Sequence, residues 1–323
     1  MPITDPAPPF DTELQATLAA MPETPPLTLS SIPAAREALA AMMPTVAEAI
    51  GDRAVSFTEV LVPGPAGQPA VAVTVLRPRE AVPAAAGALV NFHGGGMMVG
   101  NRFMDTGRLV DLVLELGVVA VNVEYRLAPE HPHPAPVEDC YAALVWVAAN
   151  AMQLGVDPDR IVVMGGSAGG GLSAGVALLA RDRGGPALAA QLLLCPMIDN
   201  LNSTVSSRQC ATGGTWTLDA NLLGWQSLLG GEADSTQASI YAAPSRATDL
   251  AGLPPAFIEV GSAELFRDED VDYASRLWAA GGQAELHVWS GGFHGFDMYA
   301  PGSALAAAAL DARLSWLRRV LGA

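Results

Sequence analysis

Six short segments of almost uninterrupted apolar residues constrain the fold of this chain more than any other feature. They lie at residues 88–92, 118–123, 161–164, 191–194, 256–260 and 285–289. Strands this apolar are typical of a parallel sheet, because helices cover both of its faces. Helical patterns accompany them at residues 103–116, 136–151, 168–180, 268–280 and 304–321. The alternation predicts a doubly wound α/β fold with helices on both sides of the sheet.

Two earlier segments, at residues 55–60 and 71–75, alternate or nearly alternate between apolar and polar side chains. That pattern favours antiparallel strands at the edge of the sheet, so the sequence predicts eight strands, most of them parallel. Residues 51–197 and 246–323 would form this sheet domain. Residues 1–50 and 198–245 carry helical patterns without a clear strand, and we expect them to pack together as a helical cap.

The composition excludes several classes of partner. Acidic residues number 33 and basic residues 17, which gives a net charge of −16, and every basic residue is an arginine. Such acidity disfavours binding to nucleic acid and stable association with membranes. The three cysteines are too few and too scattered for a disulfide framework, and none has metal-ligand spacing with a histidine. The first residues lack a signal-peptide pattern and no apolar stretch has the length of a bilayer span, so we expect a cytoplasmic protein.

A serine lies at the turn between one predicted strand and the helix after it. The segment 161–164 is followed at once by Gly165-Gly166-Ser167-Ala168-Gly169, where the helical pattern begins. Glycines two positions before and two positions after the serine leave room for a strained turn that exposes its hydroxyl. A serine hydroxyl is a poor nucleophile at neutral pH, so it needs a histidine that takes its proton and a carboxylate that orients the histidine. Ser167 is the predicted nucleophile if the chain supplies both.

Two histidines follow Ser167, and their surroundings differ. His287 lies inside an alternating strand segment, which favours a structural role, whereas His294 lies in a glycine-flanked loop just after that strand. Ligands meet such sheets at the loops that follow the strands, so His294 is the predicted base. Glu264 lies in the loop after the preceding strand and is the preferred acid. Asp268 stays an alternative, although at the start of a helix a carboxylate also serves as a cap.

Four blocks of the sequence together resemble the hormone-sensitive-lipase-like family of microbial esterases, family IV of the α/β-hydrolase superfamily. The blocks are His93-Gly94-Gly95-Gly96, residues 125–139, residues 165–170, and the segments 264–269 and 294–296 that hold the candidate acid and base. The resemblance implies an α/β-hydrolase fold with a mostly parallel eight-stranded sheet and a helical cap. It also implies hydrolysis of short- to medium-chain carboxylic esters through an acyl-enzyme, no metal or organic cofactor, and a homodimer in many members.

The resemblance assigns roles to individual residues. The acid stands three residues before an Arg-Asp pair, which is the position of Glu264. Backbone N–H groups after the first histidine, and that of the residue after the serine, bind the oxyanion; the positions here are Gly94, Gly95, Gly96 and Ala168. Two residues depart from the family pattern: Met97 replaces a common aromatic residue, and Gly166 a common acidic or hydroxyl residue. The residues expected to line the substrate pocket are Met97, Met98, Trp216 and Phe293.

Two other functions fit the same residues. An amidase or arylformamidase would use the same oxyanion geometry on an amide substrate. A non-catalytic small-molecule receptor with this fold would be expected to have lost the histidine base, yet His294 is present in its full motif. The sequence therefore predicts a carboxylic ester hydrolase that uses Ser167, His294 and Glu264.

Overall fold

An eight-stranded sheet forms the centre of the molecule. A computed structural model describes residues 6–22, 25–80 and 85–322. The strands are β1 (Val55–Val62), β2 (Val71–Pro78), β3 (Ala86–Phe92), β4 (Val119–Glu124), β5 (Val156–Gly166), β6 (Ala190–Leu194), β7 (Ala256–Gly261) and β8 (Ala284–Trp289). Their order across the sheet is β1-β2-β4-β3-β5-β6-β7-β8. Strand β2 runs antiparallel to both β1 and β4, and all the other neighbours are parallel, which confirms the predicted sheet.

Helices cover both faces of this sheet. They are α1 (Thr12–Ala20), α2 (Ile32–Met42), α3 (Val46–Ile50), α4 (Thr106–Leu116), α5 (Ala135–Ala149), α6 (Ala151–Leu154), α7 (Ala168–Arg183), α8 (Val205–Gln209), α9 (Leu218–Leu229), α10 (Arg267–Ala279), α11 (Phe296–Tyr299) and α12 (Ala304–Leu321). Helices α4 and α12 pack on one face, and α5 and α7 pack on the other. Consecutive residues of β5 alternate between the two faces: Val162 lies in the core under α4 and α12, and Val163 lies in the core under α5 and α7.

One predicted helix is interrupted. The pattern at residues 136–151 indicates a single helix, but the structure has α5 and then the short α6. Asn150, between them, has φ −111° and ψ 18°, outside the helical region. Its side-chain amide donates to the carbonyl oxygen of Trp146 at 2.8 Å. The apolar pattern continues through this position because both helices cover the same core.

Helix α2, outside the sheet domain, lies near the carboxyl end of β3. Arg36 of α2 donates from Nε to the carbonyl oxygen of Met98, at 2.7 Å, in the loop that follows β3. Gln209 of α8 donates from Nε2 to the carbonyl oxygen of Pro6, at 2.8 Å, so the two segments contact each other. In the part of the chain that the structure describes, no helix combines the length and the hydropathy that a membrane span requires.

Candidate active site

Ser167 lies at a strained turn between β5 and α7. Its φ of 56° and ψ of −120° are rare for a residue with a side chain. A Cβ on Gly169 would lie 1.8 Å from the carbonyl oxygen of Phe92, and a Cβ on Gly165 would lie 2.4 Å from the carbonyl carbon of Gly169. No side chain fits at either position, so the turn requires glycine two residues before and two residues after the serine.

A continuous chain of hydrogen bonds joins the three predicted residues. Nε2 of His294, in the loop after β8, lies 2.9 Å from Oγ of Ser167. Nδ1 of His294 lies 2.5 Å from Oε2 of Glu264, which follows β7. The other carboxylate oxygen of Glu264 accepts the backbone N–H of Gly261 at 2.8 Å. Both Glu264 and His294 are buried, with 3% and 9% of their surfaces exposed, so the carboxylate acts on the imidazole with little screening by water.

The alternative acid and the alternative base lie elsewhere. Asp268 accepts the backbone N–H of Ser206 at 2.7 Å and Nε of Arg267 at 2.8 Å. Partial burial opposes ionisation of Asp268, but these two partners hold its pKa below the usual value. His287 lies on β8, where its ring stacks between Phe257 and Trp289. The structure thus brings Glu264, and not Asp268, to His294.

The loop after β3 presents backbone N–H groups beside the serine. Gly94 and Gly95 line the same cavity as Ser167 and His294. Among the described residues, the N–H groups of Gly94, Gly95 and Gly96 have no hydrogen-bond acceptor. Free, fixed donors next to a nucleophile are the arrangement that stabilises an oxyanion. The ring of Trp216 packs against Gly96, since a Cβ there would lie 2.4 Å from the indole.

His93 holds this loop in shape. It is fully buried, and its Nδ1–H donates to the carbonyl oxygen of Gly94 at 2.7 Å. Its ring stacks on Tyr125 at 4.2 Å, and the hydroxyl of Tyr125 donates to the carbonyl oxygen of His93 at 2.7 Å. Burial lowers the pKa of His93, which keeps the imidazole neutral. These contacts fit the supporting role that the sequence indicates for His93.

A cavity of about 210 Å³ opens over the serine. Its lining comes from loops and helix starts of the sheet domain and from the two segments outside that domain, residues 1–50 and 198–245. The lining residues are Leu39, Gly94, Gly95, Val99, Met104, Asp105, Arg108, Gly166, Ser167, Leu194, Cys195, Thr215, Trp216, His294, Gly295, Asp297, Met298 and Tyr299. Trp216 is the one predicted pocket residue in this set. Apolar atoms make up most of the lining, as is usual for a site that binds a small molecule.

Three of the predicted pocket residues do not line this cavity. Met97 has a φ of 64°, which turns its side chain into the core under the sheet, where 1% of it is exposed. Met98 is fully buried, with its sulfur 3.3 Å from the hydroxyl of Ser227 on α9. Phe293 packs into a separate apolar cluster with Leu14 of α1. Their positions beside the motifs suggested a pocket, but each side chain packs into the interior.

The cavity also has a charged wall that the sequence did not indicate. Asp105 and Arg108 come from the start of α4, and Asp297 from α11. Nη2 of Arg108 donates to Asp297 at 3.0 Å, and Nη1 of Arg313 donates to the same carboxylate oxygen at 2.7 Å. Burial opposes ionisation of Asp297, but Arg313 and Arg108 together hold its pKa far below the usual value. Only the closeness of Asp297 to His294 in the chain could have pointed to this wall.

Cys195 is a further residue that sequence spacing missed. Its sulfur lies within 4.8 Å of a carboxylate oxygen of Glu264 and a ring nitrogen of His294, and this is the one such group of potential metal ligands in the described ranges. Burial raises the pKa of the Cys195 thiol well above its usual value, and the charge of Glu264 adds to the effect. The thiol is therefore protonated at neutral pH. Glu264 and His294 are already bonded to each other.

Sequence comparison assigns the chain to a family. The profile of the family described as alpha/beta hydrolase fold matches residues 89–298, and the chain belongs to that family. Within it, the chain is a hydrolase of the carboxylesterase type. It is 42% identical over 240 residues to the carboxylesterase NlhH of Mycobacterium tuberculosis, covering 73% of this chain and 74% of the relative. It is 33% identical over 215 residues to an arylesterase of Saccharolobus solfataricus, covering 65% and 68%.

Solved structures agree over almost the whole length. A bacterial heroin esterase superposes with a TM-score of 0.90 at 38% sequence identity, covering 97% of this chain and 98% of the other. Esterase LipW from Mycobacterium marinum superposes with a TM-score of 0.86 at 33% identity, again covering 97% and 98%. The predicted fold and its esterase class are confirmed by these similarities.

Proposed function

We propose that the protein hydrolyses short- to medium-chain carboxylic esters through a covalent acyl-enzyme on Ser167. His294 is the general base and acid, and Glu264 orients it. The observation that carries this proposal is the chain of bonds from Glu264 through His294 to Ser167, at 2.5 Å and 2.9 Å. A glutamate, a histidine and a serine in that order serve proton transfer from a nucleophilic hydroxyl.

Each step of the proposed reaction is assigned to a named group of the site. Oγ of Ser167 attacks the ester carbonyl while Nε2 of His294 takes its proton. The carbonyl oxygen becomes an oxyanion bound by the N–H groups of Gly94, Gly95 and Ala168. The ester C–O bond then breaks, and His294 returns the proton to the departing alcohol. Water, deprotonated by His294, attacks the acyl-enzyme; the bond from the acyl carbon to Oγ of Ser167 breaks, His294 returns the proton to Oγ, and the carboxylic acid leaves.

The cavity supports a preference for small esters. Its volume of about 210 Å³ lies below the range typical of pockets for drug-sized ligands. Leu39 of α2 and Trp216, just before α9, are part of its lining. We therefore propose that residues 1–50 and 198–245 act as a cap that limits acyl length. The homodimer and the cytoplasmic location stay predictions.

Replacing the nucleophile tests the proposal directly. We expect Ser167→Ala to lower kcat on p-nitrophenyl butanoate by about 10⁴-fold or more, because no other hydroxyl among the described residues bonds to the imidazole ring of His294. Ser56→Ala is the matched control, since Ser56 is exposed on the edge strand β1 and should leave turnover unchanged. Mass spectrometry of the quenched wild-type enzyme should show one added butanoyl group. Undiminished turnover by Ser167→Ala would overturn the assignment, and a faster rate on the matching p-nitroanilide would replace the substrate class.

A further inference from the structure

Arg108 presents an unused donor to the active-site cavity. Its Nη2 donates to Asp297 at 3.0 Å, whereas its Nη1 lies 3.8 Å from Asp105, beyond hydrogen-bond distance. Among the described residues, Nη1 has no hydrogen-bond acceptor. The side chain lines the cavity and is 20% exposed. A guanidinium that is held by one hydrogen bond from Nη2 and leaves Nη1 without an acceptor is suited to bind an acceptor on a ligand.

Gly166 leaves the space between this nitrogen and the nucleophile open. A Cβ on Gly166 would lie 3.9 Å from Nη1 of Arg108 and 4.0 Å from the carbonyl oxygen of Leu194, both ordinary contacts. A side chain at this position would project beside the guanidinium, and a carboxylate there would pair with it. Because the residue is glycine, no side chain lies between Nη1 and the backbone of the residue before Ser167, and Arg108 and Ser167 line the same cavity.

The charges of the wall determine which acceptor fits. Two carboxylates, Asp105 and Asp297, flank Arg108, which is the one arginine among the described residues that line the cavity. Arg313 also pairs with Asp297, but it is 4% exposed and is balanced by Glu259. A negatively charged ligand group would meet two like charges for each opposite one. A neutral oxygen, such as a ketone, ether or second ester carbonyl, gains the hydrogen bond without that repulsion.

We propose that Nη1 of Arg108 is a specificity-determining donor that binds a neutral oxygen acceptor in the part of the ester lying in this cavity. The substrate class is then esters that carry a second, uncharged oxygen near the scissile carbonyl. This inference rests on the proposed ester hydrolysis and names the substrate class of the same site.

Shape-matched pairs of esters test the inference. In the acyl arm, p-nitrophenyl 4-oxopentanoate is compared with p-nitrophenyl 4-methylpentanoate. In the alcohol arm, 2-oxopropyl butanoate is compared with 2-methylpropyl butanoate by pH-stat. Each kcat/KM is divided by the rate of alkaline hydrolysis, which removes the intrinsic reactivity. We expect a preference of about tenfold or more for the oxygen-bearing ester in at least one arm, as a hydrogen bond to a charged donor gives.

Variants at the two positions separate this donor from general damage. Gly166→Asp supplies Nη1 with an internal partner, and Arg108→Met removes the donor, so both should bring the preference close to one. Gly166→Ala adds the same Cβ without a carboxylate and should keep the preference. Each value is a ratio of two substrates on one variant, so a loss of folded protein cancels.

Three results would overturn the inference. The first is the absence of any preference in both arms, and the second is a preference that survives Gly166→Asp and Arg108→Met. The third is faster turnover of p-nitrophenyl hydrogen succinate than of the neutral p-nitrophenyl 4-oxopentanoate, since that would contradict the charge argument. Hydrolysis of the reference esters in the same assays keeps these outcomes distinct from a failure of the proposed function.

Discussion

Replacing Glu264 by glutamine should stop His294 from acting as the base while leaving almost every atom in place. Oε1 of Glu264 accepts the N–H of Gly261 at 2.8 Å, so the glutamine oxygen must take that position. Its NH₂ group then faces Nδ1 of His294, which becomes an acceptor, and the ring proton moves to Nε2. That proton points at Oγ of Ser167, 2.9 Å away, so the imidazole no longer takes the serine's proton.

The expected loss from this change of tautomer is about 10⁴-fold in kcat, which corresponds to roughly 5 kcal/mol of transition-state stabilisation. The assay is turnover of p-nitrophenyl butanoate at pH 7.5, with folded enzyme counted by its thermal transition. Asp268→Asn is the matched control, because Asp268 bonds Ser206 and Arg267 and should change stability more than turnover. A loss below tenfold for Glu264→Gln, or an equal loss for Asp268→Asn, would refute the assignment of the acid.

Three further predictions concern the cavity, a buried acid and metals. Trp216→Ala should raise activity on octanoate relative to butanoate about tenfold, because the indole lines the cavity; an unchanged acyl profile would contradict this. Burial raises the pKa of Asp270 well above its usual value, and neither carboxyl oxygen has a partner among the described residues. The stability that this group contributes is therefore complete below about pH 4 and is lost as the pH rises through its folded-state pKa. Asp270→Asn should therefore raise the free energy of unfolding in urea more at pH 8 than at pH 5, and an equal change at both would be contrary evidence. Dialysis against EDTA should leave turnover unchanged, whereas a loss reversed by Zn²⁺ would point to Cys195, Glu264 and His294.

The sheet and the serine turn could be predicted because local sequence determines them. Strands covered on both faces must be apolar throughout, and a turn that admits no side chain at positions 165 and 169 must carry glycine. His294 and Glu264 could be located because residues that follow parallel strands meet at one edge of the sheet. Each of these inferences needs only the local sequence around one residue and the parallel arrangement of the strands.

The pocket could not be predicted in the same way. Met97 and Met98 follow the motif that holds the oxyanion donors, yet a single positive φ turns Met97 into the core. Arg108 lies in an amphipathic helix whose sequence says nothing about what its guanidinium reaches. Its partner Asp297 is 189 residues away in the chain. Side-chain direction depends on packing between distant elements, so the composition of the cavity wall became visible only in three dimensions.

The turn around Ser167 also limits how such an enzyme diverges. Positions 165 and 169 are closed to every substitution, because backbone atoms of Gly169 and Phe92 occupy the space that a Cβ would need. Of these three glycines, Gly166 combines open space for a side chain with a place in the cavity lining. A charged residue there would cost little stability and would change the charge next to the nucleophile. A substitution at position 166 can therefore alter substrate preference, whereas positions 165 and 169 must stay glycine for the turn to form.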